Sequence, residues 1–179
     1  MTNDVDETGR RALSIAASLA TANAGEKAAA RRMGDDGAPI YWRQVARLEI
    51  PKYQEAVWLR FTRMLALLTS AGTETSIHQD KRPVGAVLAD GGDAKAVLSA
   101  PGQAARPVFS EARMARLLGS RDEARLEALE RAIRMIARNS PRIDVIDLAN
   151  VVLGRGGSRL ARAYYHRIER PQTNEVQNG

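Results

Sequence analysis

Apolar residues recur along this chain at intervals of three and four, the spacing of one face of an α-helix. The clearest case runs from Pro51 to Ser70, where Phe61, Leu65 and Leu68 share one face and Gly72 follows the end. No run alternates with the period of two that a half-buried strand requires. The pattern therefore predicts an all-α fold. Further helices are predicted over residues 8–22, 26–33, 40–48, 83–89, 110–119, 120–139, 144–153 and 158–170.

Glycine and proline interrupt the helical pattern most strongly at residues 91–107, which contain Gly91-Gly92 and Pro101-Gly102. We interpret this segment as a linker between an N-terminal helical half, residues 1–90, and a C-terminal helical half, residues 108–170. The expected architecture is two small helical bundles packed in one elongated chain. Residues 171–179 are polar and are expected to form a disordered tail.

Several helix ends in the C-terminal half carry capping signals. Asp144 is a predicted N-cap, and the spacing from Ser120 to Glu123 is that of a capping box. Gly154 is predicted to end one helix and Ser158 to cap the next. The glycines between these two helices are thus interpreted as a helix–helix turn.

Composition argues against several functional classes. Cysteine is absent, and the only histidines are His78 and His166, so disulfides, cysteine zinc sites and thiol nucleophiles are excluded and a histidine-rich metal site is not expected. No apolar run approaches the roughly 20 residues that span a bilayer, and no secretory signal is visible at the start of the sequence. We therefore expect a cytoplasmic protein with no metal, no cofactor and no membrane partner.

Positive charge is concentrated in the C-terminal half. The chain has a net charge of +6 and a pI of about 10.1, and 23 of its 27 basic residues are arginines. Residues 106–170 contain 14 basic and 8 acidic residues, whereas residues 1–90 contain 12 and 11. A GC-rich genome would also raise the arginine content, but it would not by itself concentrate the excess charge. The distribution therefore favours a surface that binds a polyanion.

The stretch GRGGSRLARAYYHR, residues 154–167, combines glycines with arginines. It is not a nucleotide-binding P-loop, because no lysine follows the glycines and no strand precedes them. Tyr164 and Tyr165 fall on the apolar face of the last predicted helix and are expected in the core. Arg155, Arg159 and Arg162 have no acidic residue three or four positions away, so we predict that they contact phosphates.

The same spacing test separates the arginines of the helix over residues 120–139. Arg131 and Arg134 follow Glu127 and Glu130 by four residues, which predicts ion pairs at the surface. Arg121 and Arg125 lie on another face with fewer acidic neighbours. These two are therefore further candidates for nucleic-acid contacts.

Basic residues of the N-terminal half allow two interpretations. Lys27, Arg31 and Arg32 lie on one short helix, where they could bind a phosphate backbone or could simply complement the helix dipole. His78 and Asp80 resemble an acid–base pair, but no nucleophile or metal ligand has suitable spacing to complete a catalytic site. We expect no enzymatic activity, and we expect the remaining Asp and Glu residues to lie on helix surfaces.

A particular order of short motifs runs through the chain. A helix ending in RR is followed by a Tyr-Trp-Arg segment, a long apolar helix, HQDK, the helical stretch SEARMARLLGSRDEARLEALERAIRMI, then PRIDVIDL and LARAYY. From about residue 10 to residue 168, this order resembles the CasB family, the small subunit of the type I-E CRISPR surveillance complex Cascade. The tryptophans usual in the first helix and before the last helix of that family are absent here.

The resemblance implies a two-part, all-helical and non-catalytic protein. Two copies would lie head to tail beside the other Cascade subunits, and their basic surface would steady the guide RNA and target DNA strand and hold the displaced DNA strand of the R-loop. The residues that match the family's basic surface are Arg31, Arg32, Lys81, Arg121, Arg155 and Arg159. Together with the sequence candidates, the predicted nucleic-acid contacts are Lys27, Arg31, Arg32, Lys81, Arg121, Arg125, Arg155, Arg159 and Arg162.

Two other functions remain open at this point. The helices on either side of GRGGSR could form a helix-turn-helix of a DNA-binding regulator, although their turn is long and rich in glycine. A scaffold protein without any nucleic-acid partner would also fit if the arginine content only reflected the genome.

Overall fold

The fold is described by a computed structural model that covers residues 2–72, 74–99 and 102–169, with side chains described from residue 7 onward. Over these residues the chain forms nine α-helices and one isolated bridge, between His78 and Ile143, so the all-α prediction is confirmed. The helices are α1 (Thr2–Thr21), α2 (Ala24–Arg32), α3 (Pro39–Arg47), α4 (Glu55–Leu68), α5 (Val84–Asp90), α6 (Glu111–Gly119), α7 (Asp122–Ile136), α8 (Val145–Val152) and α9 (Gly157–Glu169). Two short 3₁₀ turns cover Lys52–Gln54 and Ala137–Asn139.

The capping predictions have mixed outcomes. The Asp144 carboxylate accepts hydrogen bonds from the backbone nitrogens of residues 146 and 147, at 3.0 and 3.1 Å, so its role as the N-cap of α8 is confirmed. The capping box at Ser120 is wrong, because Arg121 is the N-cap of α7 and Ser120 instead donates to the carbonyl of Arg116, which closes α6. Ser158 is also not a cap, since α9 already begins at Gly157.

Helix α4 lies at the centre of the hydrophobic core. Trp58, Phe61, Met64 and Leu65 are almost completely buried, and α4 packs against α1, α2, α7 and α8. Because one face of α4 contacts the N-terminal helices and another contacts α7 and α8, its burial stabilises both ends of the sequence together.

Helices α5 and α9 approach each other very closely at Gly85. A Cβ atom at this position would lie 2.2 Å from the carbonyl oxygen of Leu160 and 2.7 Å from the backbone nitrogen of Tyr164. Only glycine allows the two backbones this separation. The predicted core position is confirmed for Tyr164, whose hydroxyl donates to the carbonyl of Phe109 at 2.5 Å, but Tyr165 is 37% exposed.

The segment over residues 91–107 is attached to the helices on either side of it. Asp90, whose side chain is fully buried, forms ion pairs with Arg82 at 2.6 Å and with Arg167 at 2.8 Å. Arg167 also donates to the carbonyls of Ala94 and Ala96. Buried residues before and after the segment belong to the same hydrophobic cluster. The division into two bundles stays a prediction, and the predicted tail lies outside the described residues.

Candidate nucleic-acid interface

The glycine-rich stretch forms a tight turn between α8 and α9, which we call the α8–α9 turn (residues 154–157). Gly154 has a left-handed backbone with a φ of +78°, and the amide of Arg155 donates to the carbonyl of Asn150 at 2.8 Å. Gly156 packs against Val151, where a Cβ atom would lie 2.8 Å from a side-chain methyl group. The stretch is therefore a helix–helix turn, as predicted.

Arg125 of α7 reaches this turn from a distant part of the sequence. Its Nη2 atom lies 3.1 Å from the position that a Cβ atom would occupy on Gly157. The side chain is half-buried, and its Nε and Nη2 atoms are shielded from solvent and have no hydrogen-bond partner. The guanidinium group and the amino-terminal end of α9 thus place positive charge side by side, which is an arrangement that favours an anion.

Arg159 has a carboxylate partner that its own helix does not supply. The Asp147 carboxyl of α8 is fully buried, and its Oδ1 atom lies 3.0 Å from the Nε of Arg159 in an ion pair whose alignment falls short of a hydrogen bond. The other oxygen accepts from the backbone nitrogen of Val84 at 2.8 Å. Burial raises the pKa of Asp147, while Val84 and Arg159 oppose that rise.

The expectation that Arg159 is uncompensated is therefore wrong, because its partner lies twelve residues earlier, on a different helix. The pairing does not remove Arg159 from the surface, since 63% of its side chain is exposed. Asp147 instead holds the guanidinium group in place while its outer nitrogens face solvent. The expectation that acidic residues lie on helix surfaces is also wrong for Asp90, Glu130 and Asp147, which are all buried.

Two other predicted contacts, Arg155 and Arg162, lie in the α8–α9 turn and in α9. Arg155 is exposed, and its Nη1 atom lies 3.5 Å from the Thr8 hydroxyl, which connects the turn to α1. Arg162 is exposed one helical turn after Arg159 and forms no hydrogen bond or ion pair with the described part of the chain. We call Arg125, Arg155, Arg159 and Arg162 the α9 basic cluster.

Three further predicted contacts, Arg32, Lys81 and Arg121, are exposed on separate elements. Arg32 ends α2, Lys81 lies in the loop before α5, and Arg121 immediately precedes α7. None of the three side chains has a partner within residues 7–72, 74–99 and 102–169. They are accessible to a nucleic acid, but no described contact joins them to the α9 basic cluster.

Lys27 and Arg31 have structural roles instead. Lys27 is only 2% exposed, and its Nζ donates to the carbonyl of Ala71. The guanidinium group of Arg31 donates to the carbonyls of Ala66 and Thr69 at 2.9 and 2.5 Å, at the carboxyl end of α4. These cations bind carbonyls in the last turn of α4 and just after it, which argues against their predicted role as phosphate contacts.

The predicted surface ion pairs of α7 are both present. Glu127 pairs with Arg131 at 3.5 Å and Glu130 with Arg134 at 2.9 Å. Glu130 also pairs with Arg60 and Arg63 of α4, which the sequence did not indicate.

Exposed cations that the sequence analysis overlooked include Arg116 and Arg138, although the test of acidic neighbours used for Arg162 would have found both.

His78 also has a structural role. Its Nδ1 accepts a hydrogen bond from the backbone nitrogen of Val145 at 3.3 Å, and its Nε2 lies 2.9 Å from Asp80. Nδ1 thus holds the loop before α5 against the start of α8, and Nε2 contacts Asp80 within the same loop. Within the described residues no three His, Asp or Glu side chains are grouped so that they could hold a metal ion, and no helix is long and apolar enough to cross a membrane.

The helices and the α9 basic cluster together define the class of this protein, which is an all-helical chain with an arginine-rich surface. A family model described as CRISPR-associated protein Cse2 (CRISPR_cse2) matches residues 10–165, and the chain therefore belongs to the Cse2 family. This family, also called CasB, is a non-catalytic structural subunit of the Cascade complex in type I-E CRISPR defence. The family prediction and the prediction of a non-enzymatic protein are confirmed. No curated protein and no solved structure matches the chain.

Proposed function

We propose that this chain binds sugar–phosphate backbones within Cascade, chiefly through the α9 basic cluster. It contacts the guide RNA and the target DNA strand and holds the displaced DNA strand, and these contacts stabilise the R-loop. The observation that carries the proposal is the exposed pair Arg159 and Arg162 on one face of α9, the helix whose first residue, Gly157, is approached by Arg125. Membership of the Cse2 family supports the setting.

The chemistry of the cluster suits backbone contacts rather than sequence reading. In RNA-guided recognition the sequence is read by base pairing, so a subunit needs only to hold backbones and a displaced strand. Guanidinium groups and the amide nitrogens at a helix start bind phosphate oxygens without regard to sequence. Aromatic residues make up only 4% of the chain, which leaves few rings on which single-stranded bases could stack.

Further contacts are part of the same proposal. Arg32, Lys81 and Arg121 are exposed and contact backbones at separate points, whereas the buried Lys27 and the carbonyl-bound Arg31 do not. Two copies of the chain lie next to one another in the complex, and each contacts other Cascade subunits. The complex acts in the cytoplasm.

The test measures R-loop formation by reconstituted Cascade across a range of salt concentrations. The variant Arg155→Gln/Arg159→Gln/Arg162→Gln removes three charges from the cluster. Each lost phosphate contact should reduce the magnitude of the slope of log K against log salt by about 0.7 to 0.9, so up to about 2 to 3 in total. A control variant, Arg10→Gln/Arg43→Gln, removes two charges from exposed arginines outside the cluster, which pair with Glu7 and Glu26.

The proposal requires Cascade that contains the control variant to show the same slope of log K against log salt as wild-type Cascade. An unchanged slope in the triple variant would show that the α9 basic cluster does not contact nucleic-acid phosphates. Tight, sequence-specific binding of duplex DNA by the isolated chain would instead favour the alternative of a helix-turn-helix regulator.

A further inference from the structure

A groove with a volume of about 390 Å³ lies between α6 and α7, outside the α9 basic cluster. Its floor is aliphatic and includes the side chains of Leu117, Ala132 and Met135. Leu117 and Ala132 are nearly fully buried and belong to the hydrophobic core, so the accessible apolar surface of the groove comes from the half-buried Ala128 and Met135, which pack against that core. The floor is therefore rigid, because its residues are held by packing on the side away from the groove.

Three arginines line the edges of this groove. Arg116 of α6 is exposed and has no partner in the described residues, and Arg113 extends across to α7, where its Nη1 lies 3.4 Å from the sulfur of Met135. Arg131 of α7 is 70% exposed and has only a long ion pair, 3.5 Å, with Glu127. Within the described residues, the Glu127 carboxylate pairs with Arg131 and no carboxylate pairs with Arg113 or Arg116, so the edges retain excess positive charge.

An occupant that uses both the floor and the edges must be apolar along one line and acidic beside it. A nucleic-acid backbone would use only the arginines, and the floor offers its bases no exposed ring, since Phe109 is only 6% exposed. An amphipathic helix satisfies both requirements, because its apolar ridge can enter the groove while acidic side chains meet the arginines. We propose that the α6–α7 groove is a docking site for an acidic amphipathic helix of a partner protein.

This docking site is independent of the proposed nucleic-acid contacts. The groove begins at Ala128, almost one helical turn beyond Arg125 of the α9 basic cluster. Binding of a helix there would fix the orientation of this subunit through protein contacts, and base pairing or phosphate contacts are not needed for it.

The probe for the test is a fluorescein-labelled helical peptide with leucines at the i, i+3, i+4, i+7 spacing and glutamates on both sides of that ridge. Binding to the purified full chain is followed by fluorescence anisotropy. Two matched peptides have lysine in place of every glutamate, or serine in place of every leucine. We expect saturable binding of the first peptide only, because each matched peptide lacks one of the two required features.

Two variants of the chain test the two features separately. Arg113→Glu/Arg116→Glu reverses the charge at one edge, and Ala128→Phe fills the groove without any change in charge. Each should weaken binding by at least about tenfold, a loss of about 1.4 kcal/mol. The control Lys52→Glu/Arg138→Glu makes the same change in net charge at exposed residues outside the groove and should bind as the wild type does. Far-UV circular dichroism confirms that each variant is folded.

Several results would overturn the docking site. Three of these are the absence of saturable binding, equal binding of the lysine peptide, and equal weakening of binding by the control variant. A fourth is a combined result, in which oligo(dT) displaces the peptide and Ala128→Phe binds the peptide with wild-type affinity. The last result would mean that the arginines serve a nucleic acid. Because the salt dependence of R-loop formation is measured in a different assay, failure here and failure of the proposed function are distinguishable.

Discussion

Glu130 offers the most direct test of how this fold is held together. Its carboxylate on α7 is 9% exposed and contacts three arginines, Arg63 at 2.5 Å, Arg134 at 2.9 Å and Arg60 at 3.2 Å. Arg60 and Arg63 belong to the central helix α4, so this one side chain connects α7 with the core. The variant Glu130→Gln keeps the size of the side chain and removes its charge.

The cost of Glu130→Gln follows from the exposure of its partners. Arg63 and Arg60 are 13% and 20% exposed, so their pairs with Glu130 are poorly screened, and removal of a charge from such a pair costs roughly 3 kcal/mol. Arg134 is 58% exposed and contributes at most about 0.5 kcal/mol, as an i, i+4 pair does. For a chain of this length, about 3 kcal/mol corresponds to a decrease in Tm of roughly 6 to 12 °C.

The matched control is Glu127→Gln, at a position three residues before Glu130 on the same helix. Glu127 is 49% exposed and, among the described residues, pairs only with Arg131, so its loss should cost about 0.3 kcal/mol. Chemical denaturation followed by circular dichroism at the helix band gives the free energy of unfolding for both variants. If Glu130→Gln costs no more than Glu127→Gln, the cluster around Glu130 does not stabilise the fold as reasoned here.

The pH dependence provides a second criterion for Glu130. Burial alone would raise its pKa, but the hydrogen bonds from Arg63, Arg134 and Arg60 and the charge of Arg63 hold the pKa below its ordinary value. Its stabilisation is therefore complete above the unfolded pKa of about 4.3 and is lost as the pH falls through the lower folded value. The difference in stability between wild type and Glu130→Gln should accordingly shrink in acid.

Two further predictions concern the contacts between α5, α8 and α9. Gly85→Ala places a methyl group 2.2 Å from the carbonyl oxygen of Leu160 and should lower the free energy of unfolding by about 1 to 3 kcal/mol. The control Gly34→Ala, which has open space around it, should change the free energy of unfolding by less than about 0.5 kcal/mol, and equal costs would contradict the close approach of α5 and α9. Because burial raises the pKa of Asp147, the free energy of unfolding of the wild type should decrease as the pH rises from the unfolded pKa of about 3.9 through the folded pKa. Denaturant unfolding across that pH range should show no such decrease for Asp147→Asn, and identical pH profiles would show that Asp147 makes no such contribution.

The arginines show why residue spacing within one helix predicts only some of their ion-pair partners. The i, i+4 pairs of α7 were predictable because both partners lie on one helix with a known geometry. The partner of Arg159 was not, since Asp147 becomes its neighbour only when α8 and α9 fold back across the α8–α9 turn. The carbonyl partners of Lys27 and Arg31 could not be predicted for the same reason, because these carbonyls lie in α4 or just after it, more than 30 residues away.

The sequence by itself determined the all-helical class, the cap at Asp144, the turn at Gly154 and the motif order of the family, because each depends on residues close together in the chain. The tertiary structure alone decided which cations are accessible. It buried Lys27, brought Arg125 to the α8–α9 turn and opened an arginine-lined groove between α6 and α7. These outcomes depend on how helix faces pack against one another, and the packing of distant segments is set by the shape of the whole core rather than by local periodicity.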